Sequence, residues 1–316
     1  MRQLINTIEI TGTLVNCELE EITTKAGAKA IGGEMVLRTE DLSEHTVRLF
    51  SNKYKKDPNG DFTNELNFFY EKYTALSELT SLANMKDGET AAIVRVNGEF
   101  SVNDYKSKTD NRVVTINNIM GRFVNVIPQK EHYNTVLEAK FEIEVLIEKM
   151  EDEIVKDEPT GNLIVKTNAI RQTAEGFGAN ANYSVDSLIP IKMTVPKKIV
   201  AGFHQAGYYD GCFCKFVGRL VNTVEIIERK EEQAFGEDVI KTFRNYVRMY
   251  EIMSGNTPMS MYEVDGLSDD IVSQLIAKRK ATLAEVGSGF SNANPSDVPF
   301  GKDDKASKSF VNPFAP

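Results

Sequence analysis

The order of the predicted secondary-structure elements constrains this chain more than any other feature of its sequence. Runs in which apolar and polar residues alternate predict strands, and an apolar pattern near a 3.6-residue period predicts a helix. The first half of the chain indicates three strands, a helix and two strands, and the second half repeats that order. We therefore expect one structural module to be used twice.

The first module ends in two β-like runs that surround a polar hairpin tip. In chain order, its predicted elements are strands over 6–23, 30–39 and 45–54, a turn-rich loop over 55–62, a helix over 64–83, and strands over 93–102 and 112–119 around a tip over 103–111. On the third strand, alternation places Arg48 and Phe50 on the face opposite Val47.

The second module repeats the pattern. Its predicted elements are strands over 140–155, 162–171 and 188–195, a helix over 196–207, and strands over 212–228 and 243–253. Three strands, a helix and two strands is the order of an OB-fold, a five-stranded Greek-key barrel with its helix between strands three and four. We predict a mainly β fold of two tandem OB-like barrels; a single β-rich domain with insertions is the alternative.

The composition changes after the second module. Residues 268–286 predict a helix, because Ser268 can cap it, acidic residues fill its first turn and Gly287 follows it. Small and polar residues dominate from there on and predict a disordered tail. The predicted division is a first barrel over 1–130, a second over 131–255, a helical segment over 256–286 and a tail over 287–316, with the first boundary between 120 and 138.

The charge of the chain excludes one class of nucleic-acid partner. A net charge of −9 and an isoelectric point near 5.1 argue against the uniformly basic surface of a protein that coats duplex DNA. They leave room for a local basic groove. With 316 residues, of which 41% are hydrophobic, the chain can bury a substantial core.

Cysteine usage and hydropathy indicate a compartment. Cys17, Cys212 and Cys214 form no C-x-x-C pair, and with only three histidines in the chain we expect no zinc site. An odd number of cysteines without a secretory signal indicates a reducing cytoplasm. No apolar run approaches the roughly 18 residues needed to span a bilayer, so no membrane partner is expected.

The sequence lacks the common motifs of enzymatic chemistry. It has no G-x-x-x-x-G-K-[ST], no G-x-G-x-x-G after a strand, no H-E-x-x-H and no G-x-S-x-G. Acidic runs near Glu151 and Glu228 could hold magnesium, but charge runs at strand ends are more often solvated. We therefore expect a non-enzymatic protein without catalytic residues, metal or cofactor.

Basic and aromatic residues interleave where an OB-fold would bind an oligonucleotide. Cations contact the phosphates of single strands, and aromatic faces stack on their bases. In the first barrel the candidates are Arg48, Phe50, Lys53, Tyr54, Lys55, Lys56, Tyr105, Lys106, Lys108 and Arg112. In the second they are Lys166, Arg171, Lys192, Lys215, Arg219, Phe243, Arg244, Tyr246 and Arg248. Aromatic residues in strands are more often core, and Phe100, Phe123, Phe141 and Phe216 are assigned there.

With these features the chain resembles the OB-fold single-stranded DNA-binding proteins, particularly those encoded by bacteriophages. The resemblance covers residues 5–255 as a pattern and not as an aligned motif. The tail is similar to the acidic, phenylalanine-bearing tip with which the bacterial proteins dock replication and repair partners. The residues that match this tip are Asp297, Pro299, Phe300 and Phe314. Phe300 is internal, and nearby lysines offset the acids, which departs from the family pattern.

The resemblance implies a protein that binds single-stranded DNA in phage-type replication or recombination, in the cytoplasm of the host cell if it is phage-encoded. Replication or recombination proteins would be partners of the tail. Two other functions stay open: a virion or assembly protein whose barrels pack against other subunits, and a metal-dependent nuclease. The sequence does not distinguish DNA from RNA, and it does not give the oligomeric state.

Overall fold

The structure is a computed structural model that describes residues 1–24, 26–57, 60–175, 181–231, 239–260, 263–264 and 266–288, with the backbone alone at 175, 224–231 and 239–246. That part of the chain is mainly β. Its elements are β1 (Asn6–Thr23), β2 (Lys29–Arg38), β3 (Glu44–Asn52), β4 (Tyr54–Lys56), β5 (Phe62–Leu66), α1 (Phe68–Leu76), β6 (Ile93–Lys106), β7 (Val113–Ile127), a 3-10 helix (Gln129–Asn134), β8 (Ala139–Val155), β9 (Glu158–Glu175), β10 (Asn182–Val195), α2 (Lys197–Gln205), β11 (Phe213–Glu231), β12 (Val239–Gly255) and α3 (Asp269–Ser288).

Five strands of the first half close a ring. β1 pairs antiparallel with β2 and β6, β2 pairs with β3, and β6 pairs with β7. A parallel pairing of β3 with β7 closes the ring, with Arg48 opposite Met120. α1 lies between β3 and β6 in the chain and buries Tyr70, Tyr73 and Leu76. This is the strand order of an OB-fold barrel.

Five strands of the second half close in the same order. β8 pairs antiparallel with β9 and β11, β9 with β10, and β11 with β12. The parallel pairing is between β10 and β12, with Thr194 opposite Glu251. α2 follows β10 directly after Pro196, a residue suited to a helix start because its φ is fixed. The predicted fold class, a mainly β chain with OB-like barrels, is confirmed, whereas the predicted domain boundaries stay predictions.

The two rings match in detail at a close backbone approach. The register of β6 shifts just before Gly98, and that of β11 shifts just before Gly218. A Cβ atom at Gly98 would lie 2.3 Å from the carbonyl oxygen of Met120, and one at Gly218 would lie 2.2 Å from that of Glu251. Both positions therefore require glycine for the same reason.

The rings join through their first strands into one sheet of ten strands. Residues 6–10 of β1 pair antiparallel with residues 139–143 of β8, and Ile8 lies opposite Phe141 at the centre. Ile8 also pairs with Gly98, as Phe141 does with Gly218, so the two central residues are equivalent. The junction thus has an internal two-fold axis.

One apolar core runs through both rings. Phe100, Phe141 and Phe216 are buried in it, as predicted. The ring of Phe100 meets that of Phe141 edge-on at 5.7 Å between centroids and that of Tyr250 at 5.0 Å. These aromatic contacts join the first barrel to the second and favour one fixed arrangement of the two.

The prediction that Phe123 lies in the core is wrong, since its side chain is 55% exposed. β7 carries one extra residue opposite the register shift at Asn97 and Gly98. An extra residue moves the following side chains to the other face of a strand. Val124 therefore packs against the core from its place opposite Val96, and Phe123 faces outward.

The predicted helix over 64–83 is too long. α1 spans Phe68–Leu76, and the side chain of Asn67 caps it by accepting a hydrogen bond from the backbone N–H of Phe69 at 3.0 Å. Leu82 instead donates its backbone N–H to β1. The turns after α1 also contain apolar residues at a spacing near 3.6, so the sequence pattern of a helix extends beyond the helix itself.

Two predicted loops are strands in part. The predicted loop over 55–62 includes the last two residues of β4 and the first residue of β5, which pair as a separate two-stranded sheet. The predicted tip over 103–111 is shorter, because β6 runs to Lys106, which pairs with Val113.

α3 packs outside the second barrel. Its Leu275 joins a second apolar cluster with Leu146, Ile170 and Leu188. The predicted helix over 268–286 agrees with α3 to within two residues, and the predicted tail lies outside the described residues from 289 onward. In the part of the chain that the structure describes, no helix is both long and apolar enough to cross a bilayer.

Candidate nucleic-acid interface

The outward face of β3 carries the first candidate residues. Val47 and Leu49 are fully buried, so the predicted alternation places Arg48 and Phe50 outward, and both are half-buried. Phe50 lies opposite Gly32 on β2. Because glycine has no side chain, no cross-strand side chain covers the ring of Phe50 from that position.

A cleft of about 260 Å³ separates this face from the second barrel. Thr46, Arg48 and residues 116–119 of β7 form one wall, and residues 220–222 and Arg248 form the other. Two arginines that were predicted from separate halves of the chain therefore line the same concave surface.

Each barrel holds a strand of the other across this cleft. Asn222 of β11 donates its backbone N–H to the hydroxyl of Ser43 at 3.1 Å. Asn117 of β7 donates its side-chain amide to the carbonyl of Pro190 at 2.8 Å. Arg248 donates to the carbonyl of Asn117 at 3.3 Å, which keeps its guanidinium at the cleft. The two walls are thus tied to each other by direct hydrogen bonds.

The cleft is lined by two arginines, Arg48 and Arg248, and by the carboxylate of Glu34. Arg48 pairs with Glu34 at 2.9 Å, whereas Arg248 is exposed and has no carboxylate partner among the described residues. The pKa of His45 is lowered to about 4, mainly by burial; the charge of Asp41 opposes this shift and that of Arg248 adds to it. His45 is therefore neutral at pH 7, when the guanidinium groups remain charged.

The β6–β7 hairpin continues the same face. Tyr105 pairs with Val114, and alternation along β7 leads from Val114 through Asn118 to Met120, which lies opposite Arg48. Tyr105 therefore shares the outward face of Arg48, and it is exposed. Lys106, next along the strand, belongs to the other face.

The tip of this hairpin carries two further candidate cations of the first barrel. Lys108 and Arg112 are exposed, and Arg112 pairs with Asp110 at 3.4 Å. An exposed pair of this kind contributes little to stability, so a phosphate can replace the carboxylate at little cost.

The other first-barrel candidates lie on and beside the β4–β5 sheet. Lys53 pairs with Glu21 at 3.3 Å and Lys55 with Glu65 at 2.9 Å. Tyr54 and Lys56 are exposed. This sheet follows β3 in the chain after one residue, and none of its residues lines the cleft.

Of the second-barrel candidates whose side chains the structure describes, Arg248 alone lines the cleft. Lys166 and Lys192 lie opposite each other on β9 and β10. Four candidate cations of this barrel form ion pairs: Lys166 with Glu151 at 2.6 Å, Arg171 with Asp186 at 3.8 Å, Lys215 with Glu142 at 2.7 Å, and Arg219 with Glu251 at 2.9 Å. Among the described side chains, the second barrel therefore contributes one candidate cation to the cleft and the other four form ion pairs elsewhere.

Some predicted residues lie outside the described part of the chain. The side chains of Phe243, Arg244 and Tyr246 on β12 are among them. So are the tail residues Asp297, Pro299, Phe300 and Phe314.

Sequence reasoning missed the amides of the cleft, which belong to Asn117, Asn118 and Asn222. One signal was present, because asparagine is depleted in strands and Asn117 and Asn118 stand together inside β7. The partner wall could not be predicted, since it depends on how the barrels dock.

The structure places the first acidic run in structural contacts. Glu151 pairs with Lys149 at 3.2 Å and with Lys166 at 2.6 Å, and these hydrogen bonds lower the pKa of its carboxyl group. Glu153 accepts hydrogen bonds from Thr160 at 2.8 Å and Asn162 at 2.9 Å. Within the described ranges, no group of three His, Cys, Asp or Glu residues could hold a metal ion. The acids near Glu228 lie outside the described side chains.

Comparison with known proteins gives a family and a set of distant structures. A search of curated protein sequences finds no relative. The wild-type single-stranded DNA binding protein from Thermus aquaticus is 11% identical, with a TM-score of 0.46 over 82% of this chain and 95% of that one. A deletion variant of the same protein is also 11% identical, with a TM-score of 0.44 over 82% of this chain and 97% of that one. Likeness at this level carries no argument, so the OB-fold rests on the strand pairing. The model of the YorF family matches residues 4–289, and the protein therefore belongs to the YorF family.

Proposed function

We propose that this protein is a non-enzymatic single-stranded DNA-binding protein that binds its ligand in the cleft between the two barrels. The convergence of Arg48 and Arg248 on one cleft carries the proposal. A guanidinium group can contact a phosphate through two hydrogen bonds and can also stack on a base. The neighbouring asparagine amides supply donors and acceptors suited to base edges.

Aromatic residues at both ends of the cleft face support a single strand as the ligand. Phe50 lies beside Arg48, and Tyr105 lies further along the same face. Bases are free to stack on such rings in a single strand, whereas the bases of a duplex are already stacked on one another. The net charge of −9 also disfavours a duplex, whose affinity depends mainly on phosphate neutralisation.

The biological setting belongs to the proposal as well. By its resemblance to phage single-stranded DNA-binding proteins, the protein would act in phage-type replication or recombination, in the host cytoplasm. Docking of partner proteins on the Phe300 region of the tail remains a prediction.

A binding titration tests the proposal. We expect labelled oligo-dT to bind more tightly than duplex DNA of the same length in fluorescence anisotropy, and to lose affinity as salt rises through counterion release. Arg248→Gln should weaken binding about tenfold, as expected for the loss of one charged hydrogen bond, and should reduce the salt dependence by about one phosphate contact.

Lys130→Gln is the matched control, because Lys130 is an exposed cation on the connector between the barrels. Its affinity should equal that of the wild type. Equal affinity for single and double strands would refute the proposal, and so would metal-dependent cleavage of the oligonucleotide. Large ordered assemblies without DNA in sedimentation would favour an assembly protein instead.

A further inference from the structure

Three exposed phenylalanines mark a second surface on the first barrel, away from the cleft. Phe62 on β5 is 43% exposed, Phe68 at the start of α1 is 56% exposed, and Phe123 on β7 is 55% exposed. Phenylalanine usually lies inside a protein, and a cluster of exposed apolar residues marks an interaction site. We call Phe62, Phe68, Phe69 and Phe123 the aromatic surface.

The rings of α1 and β7 form a connected row. The centroids of Phe68 and Phe69 are 5.6 Å apart, and those of Phe69 and Phe123 are 5.4 Å apart, both in edge-to-face geometry. The hydroxyl of Tyr73 donates to the backbone carbonyl of Arg122 at 2.8 Å and so fixes α1 against β7. The row is therefore held in place before any partner binds.

Cations accompany these rings. The ammonium group of Lys56 lies 5.1 Å from the ring centroid of Phe62, and that of Lys72 lies 5.4 Å from that of Phe68. Neither lysine has a carboxylate partner among the described residues. Arg122, next to Phe123, is 64% exposed and forms a surface ion pair with Glu99. A partner for this surface must accept cations and present flat apolar groups.

A single-stranded nucleic acid meets both requirements, because its phosphates attract cations and its bases stack on aromatic faces. The chain itself leads from the cleft face to the aromatic surface, since β4 follows β3 after one residue and pairs with β5, which carries Phe62. We infer that a strand leaving the cleft past Phe50 continues over β4 and β5 onto Phe62, Phe68 and Phe123. This inference rests on the proposed function and extends the binding site to a second segment of the strand.

The second barrel lacks this extension in the described part of the chain. Its third strand, β10, ends at Val195 and leads through Pro196 straight into α2. The first barrel inserts β4 and β5 at the same place in the fold. The bound single-stranded nucleic acid would therefore leave the cleft over the first barrel and not over the second.

The inference predicts a dependence on oligonucleotide length. Phe62→Leu with Phe68→Leu should weaken binding of a long oligo-dT of about 30 nucleotides at least fivefold per ring, since a stacked base contributes on the order of 1–3 kcal/mol. Binding of a short oligomer of about 8 nucleotides, held in the cleft alone, should be unchanged. Phe68→Tyr, which keeps a stacking ring, should retain the affinity for the long oligomer.

Tyr133→Leu is the control, because Tyr133 is 97% exposed on the connector and lies outside the aromatic surface. Thermal unfolding of each variant should match the wild type, since these side chains are exposed. Wild-type affinity of the leucine variants for the long oligomer would overturn the inference and point to a protein partner for the surface. Equal weakening at both lengths would also overturn it. Failure of the wild type to bind any single strand would instead refute the proposed function, and the inference with it.

Discussion

Single residues of the cleft show how much of a binding site can be predicted from the alternation of apolar and polar residues along a strand. The outward direction of Arg48 and Phe50 follows from the burial of Val47 and Leu49, and it was predicted correctly. The presence of Arg48 and Arg248 on the same cleft was not predictable. It depends on how the two barrels dock, and the two arginines are far apart in the sequence. Docking decides contacts that no local pattern encodes.

His45 gives a prediction at this scale. Its pKa is lowered to about 4, mainly by burial, from the ordinary value of 6.5. The unfolded chain therefore binds a proton more readily than the folded protein between pH 6.5 and pH 4. Stability present above pH 6.5 should be lost as the pH falls through this window, by about 2 kcal/mol at pH 5 relative to pH 8.

Urea unfolding of the wild type and of His45→Gln at pH 8 and pH 5 checks this expectation. Carboxylates contribute equally in both proteins, so the difference isolates the histidine. The variant should lose less stability on acidification than the wild type. Parallel losses in the two proteins would contradict a neutral, buried His45.

At the scale of elements, α3 connects two hairpins. Arg279 forms a two-pronged ion pair with Asp104 on β6, and Thr115 on β7 donates to the same carboxylate at 2.7 Å. Neighbouring Lys278 pairs with Asp186 on β10 at 2.9 Å. Consecutive residues of one helix thus hold a hairpin of each barrel. The hairpin held by Arg279 carries Tyr105, so α3 positions part of the candidate site.

Arg279→Gln should loosen this hairpin. The side chains of Arg279 and Asp104 are 14% and 8% exposed, so removing the cation leaves a nearly buried carboxylate, at a cost of about 3–5 kcal/mol. We expect hydrogen exchange over residues 103–115 to accelerate at least tenfold. Lys280→Gln, at an exposed neighbouring position of α3, is the control. Unchanged exchange in Arg279→Gln would show that the hairpin holds its place without α3.

Element boundaries show why parts of the fold escaped prediction. The strand over 6–23 was predicted with its observed bounds, because its alternation is long. α1 was predicted too long, since Leu82 continues the helical period from within a turn. Phe123 was assigned to the wrong face because one extra residue in β7 reverses the alternation. Patterns fail where a single residue changes the backbone path.

At the scale of the whole molecule, the two barrels are one cooperative body in our interpretation. The N-terminal segment crosses onto the second barrel, where Arg2 binds Glu144 through contacts of 2.6 and 2.8 Å and the backbone N–H of Ile5 donates to the same carboxylate at 2.8 Å. The repeated order of elements was readable from the sequence. The pairing of the first strands was not, since each strand could equally have remained an edge.

Glu144→Ala should destabilise both barrels together. The side chain of Glu144 is 6% exposed, and its removal leaves the N–H of Ile5 and the guanidinium of Arg2 without their partner, at about 2–3 kcal/mol. Calorimetry should show one unfolding transition in the wild type and one at lower temperature in the variant. Glu142→Ala, which removes a more exposed carboxylate from the same strand, should shift the transition less. Two separate transitions would contradict the cooperative interpretation.

The junction of the first strands also has a consequence during synthesis. Residues 6–10 leave the ribosome long before residues 139–143, which pair with them. At about 5–20 residues per second this interval lasts on the order of ten seconds, during which one edge of β1 has no partner. An unpaired edge is a template for any neighbouring strand. Two chains that grow on one messenger RNA would supply this missing partner to each other if they exchanged their second barrels. The resulting dimer would contain the same β1–β8 pairing, formed between chains instead of within one.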